Sequence, residues 1–424
     1  MGSDAADRSR GHGGFWSTLF QRNFALLWFG GLASYIGDWA MLVALPLFVY
    51  EQTGSTLAAG ALLTAKFAPM LLSSVAGVFV DRWDRRSTLV RANLAMTVLT
   101  LPLLIPTTSG AGAASLWIVY LSVIATSLAG LVVAPAENSL LPTLVGRDRL
   151  MVANSLNALN DNIARIAGPA LGGLIAAYVG FTGVVIVNAA CYASAALLVA
   201  LIRTPQSDTP NRAGQRPHRG TGAVSSVLAE WVDGLRVVRR SQLVAMVFVA
   251  TALALLGDSV FSALLAPFVG QNFTDAAAVI GLIAAARGVG GLIAGLLTAP
   301  IARRVLPVHL MGVAAIGIGV LFAAFVAVPR LPLALACVAL LAGVLAVIWG
   351  ASINTLLQTN VADRYLGRVF GAFSTTNAAT MTLGAGAAAV AGQALGTGNL
   401  LYVSAALYTL SGLVVLVTRP KSPG

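Results

Sequence analysis

The sequence predicts an all-α membrane protein of twelve transmembrane helices, arranged as two pseudo-symmetric six-helix bundles. Three observations predict it. Hydrophobic residues fill 58% of 424 positions and charged residues only 10%, against about 25% charged in a soluble domain. Apolar runs long enough to span a bilayer recur along the whole chain. The two halves also carry short matching motifs in the same order, as duplicated membrane bundles do.

A span needs roughly 20 mostly apolar residues. In the first half such runs fall at about 24–49, 56–80, 88–106, 115–135, 153–178 and 183–202. In the second they fall at about 243–269, 277–300, 308–328, 332–354, 368–394 and 400–417. The chain therefore divides into an N-terminal tail (1–23), a first bundle (24–203), a linker (204–240), a second bundle (241–418) and a short tail (419–424). The linker carries Pro205, Pro210 and Pro217 among polar and basic residues, with a short amphipathic helix expected near Val227–Arg240. Met1 to Gly14 is polar and lacks an apolar h-region, so no cleavable signal peptide is expected. Ala6 stands where a myristoylation motif needs Ser or Thr.

The net charge of +11 suggests nucleic acid at first sight. Yet the basic residues form short clusters between apolar runs and build no basic module. Lys66, Arg91, Arg165 and Arg287 lie inside spans. All the others except Arg330 fall in the N-terminal tail, in every second loop, in the linker or in the last tail. By the positive-inside rule this places both termini in the cytoplasm and the chain in the cell's inner membrane. Cys191 and Cys337 sit in separate apolar runs, read as packing residues, and no metal-ligand spacing exists.

The repeat is visible in three places. Leu32-Ala-Ser-Tyr-Ile-Gly37-Asp38 followed by Pro46-Leu-Phe48-Val49 in span 1 matches Leu253-Ala-Leu-Leu-Gly257-Asp258 followed by Pro267-Phe268-Val269 in span 7. At the same offset Lys66 in span 2 falls on Arg287 in span 8. Near the ends of spans 4 and 10, Asn138-Ser-Leu-Leu-Pro-Thr143 matches Asn354-Thr-Leu-Leu-Gln-Thr359.

The loop after span 2 reads Gly77-Val-Phe-Val-Asp81-Arg82-Trp-Asp84-Arg85-Arg86. It resembles the signature between helices 2 and 3 of the major facilitator superfamily, with Asp84 where that signature has a second glycine. The resemblance implies that Gly77, Asp81, Arg82, Arg85 and Arg86 belong to a gating latch between the halves. The plainer reading is a positive-inside anchor. Gly168-Pro169-Ala-Leu-Gly172-Gly173 in span 5 resembles the antiporter motif of drug exporters in the same superfamily, and also reads as a small-residue packing seam. Gly37-Asp38, Thr53-Gly54-Ser55, Pro135-Ala-Glu137, Leu141-Pro142 and Ala153-Asn154-Ser155 extend the likeness over nearly the whole chain. They resemble the drug/proton antiporter branch that includes macrolide-efflux and enterobactin-exporter proteins.

A charge placed at mid-bilayer costs about 3 kcal/mol, so each should face a cavity or a partner. The clear cases among the acids are Asp38, Asp161 and Asp258, with Glu137 at the end of span 4; the three histidines lie outside span centres. Asp38 with Lys66, and Asp258 with Arg287, read either as a proton-coupling site or as a structural ion pair within each half. Asn154, Asn157, Asp161 and Arg165 share one face of span 5, which predicts a cavity lining. Asp161 and Arg165, four residues apart, can also pair with each other. Lys66 is one of two lysines and, unlike arginine, can lose its proton when buried. Trp28, Trp39, Trp117, Trp349, Phe67 and Phe261 read as substrate-stacking rings or as interface anchors, with the anchor favoured for Trp28 and Trp117.

These expectations converge on a monomeric proton-coupled exporter of amphipathic small molecules, working by alternating access in the bilayer with no cofactor beyond the proton gradient. An exporter of a siderophore, lipid or other anionic metabolite fits the same framework, with Lys66, Arg165 and Arg287 as anion contacts. A receptor or scaffold without transport needs no buried charges in both halves. No catalytic triad, metal cluster or phosphate loop appears, so an enzyme or an ATP-driven pump is not expected.

Overall fold

A bilayer supplies no hydrogen-bond partners, so a backbone crossing it must satisfy its own amides, and the helix is the direct way to do so. The computed structural model describes residues 16–72, 83–106, 113–146, 149–203, 236, 238–239, 241–302, 304–327, 331–361 and 363–418. Among these residues nine helices are long and apolar enough to cross a membrane. One of them holds two spans, and one short and one more polar helix complete the twelve.

In the first half α1 is Arg22–Thr53, and α2 is Thr56–Phe67 continued by a 3-10 turn, Ala68–Leu72. Helix α3 is Arg85–Thr100 with a 3-10 extension, Leu101–Leu104, and α4 runs in two segments, Ala113–Gly130 and Val133–Val145. The helix Leu150–Ala200 is interrupted at Gly180, where φ is 79°. It therefore comprises α5 (150–180) and α6 (181–200). In the second half α7 is Gln242–Asn272, α8 Ala276–Ala302, α9 Pro307–Ala327, α10 Pro332–Asn360, α11 Asp363–Leu395 and α12 Thr397–Val417.

Local chemistry sets the boundaries. Gly54, at φ 62°, closes α1, and the Ser55 hydroxyl caps α2 by accepting from the Ala58 amide. Gly180 and Gly396 both have a positive φ of 79°, turning α5 into α6 and α11 into α12. They are related by the offset that links Asn138 to Asn354, so the repeat extends to the turns. Pro46 and Pro267, another repeat pair, lie inside α1 and α7. Neighbouring helices make such interruptions tolerable in a membrane bundle.

The halves meet through α5 against α8 and α2 against α11. Small residues permit these contacts. A Cβ built on Gly60 of α2 would lie 2.8 Å from the Ala389 Cα of α11, and Gly173 of α5 touches Gly281 of α8 backbone to backbone. Gly270 at the end of α7 lies against the Tyr50 ring at the end of α1, and Gly392 of α11 lies against Thr56 at the start of α2. These contacts sit toward the face on which α1 ends, so the halves are closed there.

Of the expected linker helix near Val227–Arg240, only Arg236, Val238 and Arg239 fall within the described residues. Cys191 packs beside Gly37, but Cys337, expected to pack as well, is exposed on α10.

Candidate functional site

Two half-buried acids in apolar helices are each held by a base and a phenol. Lys66 Nζ donates to Asp38 Oδ1 at 2.8 Å, and the Tyr192 hydroxyl donates to the same oxygen at 2.7 Å. In the second half Arg287 lies 3.5 Å from Asp258 Oδ1, and the Tyr408 hydroxyl donates to it at 3.2 Å. Helices 1, 2 and 6 of one half and helices 7, 8 and 12 of the other supply equivalent members. Both expected ion pairs are formed, and neither acid faces lipid alone. Sequence reasoning missed the tyrosines. The signal that could have found them is that Tyr192 and Tyr408 share the Asn138–Asn354 offset.

Asp38, Lys66 and Tyr192 line a cavity of about 30 Å³ with Asn188, Thr100, Thr126 and an apolar wall that includes Leu62 and Val123. The cavity lies within the first half, among α1, α2, α3, α4 and α6. At that volume it has room for about one or two water molecules.

A second polar cluster sits nearer the start of α1. Glu137, expected at the end of a span, lies in the second segment of α4, where its Oε2 accepts from the Tyr35 hydroxyl at 2.8 Å. Asp161 of α5 is within electrostatic reach of both groups. The Asp161–Arg165 pair that the spacing allowed is not formed: the Arg165 guanidinium instead donates to Asn162 at 3.1 Å. An i,i+4 spacing brings two side chains within reach, but the long arginine side chain found a neighbour one turn back. Asn154, Asp161 and Arg165 are exposed and Asn157 is half-buried, so the stripe stays off the protein core.

Two further expectations are corrected. Trp28 is no interface anchor: it is buried, and its indole donates to the Leu156 carbonyl at 2.8 Å while Asn160 donates to its own carbonyl at 2.6 Å. This clamp joins α1 to α5. Phe67 and Phe261 are also buried, Phe261 stacked on Phe322 with ring centres 3.9 Å apart, so neither ring is free for substrate. Trp349 is buried beside Tyr408, whereas Trp117 is exposed, as an anchor would be.

Of the loop motif, Gly77, Asp81 and Arg82 lie outside the described residues. Asp84 replaces a glycine with a helix cap, accepting from the Ser87 amide at 2.7 Å. Arg85 donates to the Ser139 carbonyl of α4, and Arg86 donates to the Val199 and Ala200 carbonyls at the end of α6. Both brace their own half. The helix-5 motif divides: Gly168 and Gly172 pack against Trp39 and Ala40 of α1, while Gly173 meets α8 of the other half. Pro169 lies inside α5 between them.

Among the described residues, twelve helices in two repeated bundles, each with a partly exposed acid–base pair, define a membrane transporter of the major facilitator type. The chain belongs to the transmembrane secretion effector family of that superfamily, whose sequence profile matches residues 13–422. It is 25% identical over 402 residues to YfiS, an uncharacterized MFS-type transporter of Bacillus subtilis (strain 168), covering 91% of this chain and 90% of that one. It is 27% identical over 350 residues to the enterobactin exporter EntS of Escherichia coli O1:K1 / APEC, covering 81% and 79%. In fold it is similar to a bacterial homologue of the iron transporter ferroportin in an inward-facing state, with TM-score 0.73 and 17% identity over 94% of this chain and 99% of that one. The nucleoside transporter NupG also gives 0.73, at 13% identity over 93% and 99%.

Proposed function

We propose that the protein is a proton-coupled exporter of amphipathic small molecules, working by alternating access in the bacterial inner membrane with both termini cytoplasmic. The observation that carries this reading is the repeat-related pair of triads, Asp38–Lys66–Tyr192 and Asp258–Arg287–Tyr408. A structural bundle has no use for two ionised groups per half, since well-packed apolar residues serve stability as well or better. A proton arriving from outside neutralises Asp38, releases its hold on Lys66, and makes the return step favourable. Closure on the face where α1 ends is then the inward-facing arrangement.

The test is accumulation of an amphipathic cationic dye, ethidium, in cells stripped of their own exporters. Expression of the wild type should lower accumulation, an uncoupler should restore it, and Asp38→Asn should abolish the uncoupler-sensitive part. Dye levels unaffected by expression, or coupling unchanged in Asp38→Asn, overturn the reading.

One observation favours a second reading, export of an anionic metabolite: relatives of 27% identity are enterobactin exporters. Lys66, Arg165 and Arg287 would then contact the anion. Thermal stabilisation of the purified protein by enterobactin, and none by ethidium, would select it.

A further inference from the structure

The two triads are not identical: the bases differ, Lys66 against Arg287, and so does one residue beside each acid. The offset that relates Tyr192 to Tyr408 relates Asn188 of α6 to Ser404 of α12. Both lie over the glycine that precedes the acid, Gly37 or Gly257. In the second half the polar atom is closed off: the Ser404 hydroxyl donates to the Gly257 carbonyl at 2.7 Å and is fully buried. In the first half Asn188 is 3% exposed, and its Oδ1 has no hydrogen-bond partner. A Cβ on Gly37 would overlap that oxygen, so the glycine makes room for the amide. Asn188 lines the same cavity as Asp38, Lys66 and Tyr192. It stands one helical turn before Tyr192, and its amide is within hydrogen-bonding reach of the phenol.

We propose that Asn188 Oδ1 is a second berth for the Lys66 ammonium, occupied when Asp38 takes a proton. The inference rests on the transport reading above and deepens it. Asp38 gains one proton, Lys66 keeps its own, and one ammonium hydrogen bond passes from Asp38 Oδ1 to Asn188 Oδ1. Among the described residues, the titratable groups facing this space are Asp38 on α1, Lys66 on α2, and Tyr192 and Cys191 on α6, while α3 and α4 contribute Thr100 and Thr126. In the second half the counterpart of Asn188, Ser404, already spends its hydroxyl on the Gly257 carbonyl, and the base is a planar guanidinium rather than a compact ammonium. The first triad is therefore the one that moves, and the second is fixed. Asn188 is a positioning residue that acts through Lys66.

Lys66 shares the chain with one other lysine, Lys421, which serves as an internal reference. Brief reductive methylation with formaldehyde and cyanoborohydride, read by mass spectrometry of the intact purified transporter after digestion, reports how firmly each ammonium is held. Asp38→Asn should leave Lys66 nearly as protected as in the wild type, because Asn188 holds it. Asp38→Asn combined with Asn188→Leu should raise Lys66 modification relative to Lys421 by about tenfold, the worth of one hydrogen bond to a charged group. Asn188→Leu alone should match the wild type. Should leucine misfold, Asn188→Ser copies the second half and should behave in the same way. Equal Lys66 modification in the Asp38→Asn single and double variants overturns the berth. The readout needs no substrate, so its failure leaves the export reading standing, and a failed efflux assay leaves the labelling result standing.

Discussion

Gly173 of α5 and Gly281 of α8 meet backbone to backbone across the two halves, with no space for a side chain on either. The contact has a twin, Gly60 of α2 against Ala389 of α11. Gly60 maps to Gly281 by the offset that carries Lys66 to Arg287, and Gly173 maps to Ala389 by the one that carries Tyr192 to Tyr408. The closed face is thus held by one contact made twice.

Gly173→Leu should open that face. Overpacking a tight contact costs about 1–3 kcal/mol, which shifts a two-state equilibrium about 5- to 150-fold. Spin labels at Tyr178 and Leu282, both exposed, should report a longer distance in Gly173→Leu than in the parent. An unchanged distance distribution would show that the contact does not govern closure.

The bases should not be interchangeable. Arg287→Lys should keep most uncoupler-sensitive efflux, because a fixed charge beside Asp258 is all that half requires. Lys66→Arg should preserve an ion pair with Asp38 yet reduce that efflux about tenfold or more, since a planar guanidinium cannot take the berth at Asn188 that a compact ammonium can. Equal effects of the two swaps would count against the asymmetry.

Removing a phenol should weaken its half. Tyr192→Phe and Tyr408→Phe each delete a hydrogen bond to a carboxylate, worth about 1.5–3 kcal/mol. The shorter bond, at 2.7 Å against 3.2 Å, predicts the larger loss for Tyr192→Phe. Heating each variant and measuring the monodisperse fraction by size exclusion checks the order.

Arg86→Ala should lower thermal stability, because the guanidinium satisfies two carbonyls at the end of α6. Hydrogen bonds from a charged group and the helix dipole together suggest about 2 kcal/mol. A residue that latched only the opposite state would leave the melting temperature of this one unchanged, and the same size-exclusion assay separates the two.

Much of the site was legible because charge is costly in lipid. Asp38, Lys66, Asp258 and Arg287 had to find partners, and their spacing in the repeat named them. Tyr192, Tyr408 and Asn188 were not legible: a tyrosine or asparagine in an apolar run costs less to insert, so its presence demands no specific partner. Asp161 and Arg165 show the converse case. Their spacing allowed a pair, but a flexible guanidinium chooses among every neighbour within reach, and Asn162 was nearer.

By itself the sequence determined the solvent, the span pattern, the duplication and the two ion pairs, because each follows from the cost of placing polar atoms in hydrocarbon. Tertiary structure alone decided that Trp28 clamps α1 to α5, that Arg85 and Arg86 brace their own half, and that the face where α1 ends is closed. Those outcomes depend on which helix surfaces meet. Helix crossings are set by the packing of many small side chains at once, and no local stretch of residues carries that information.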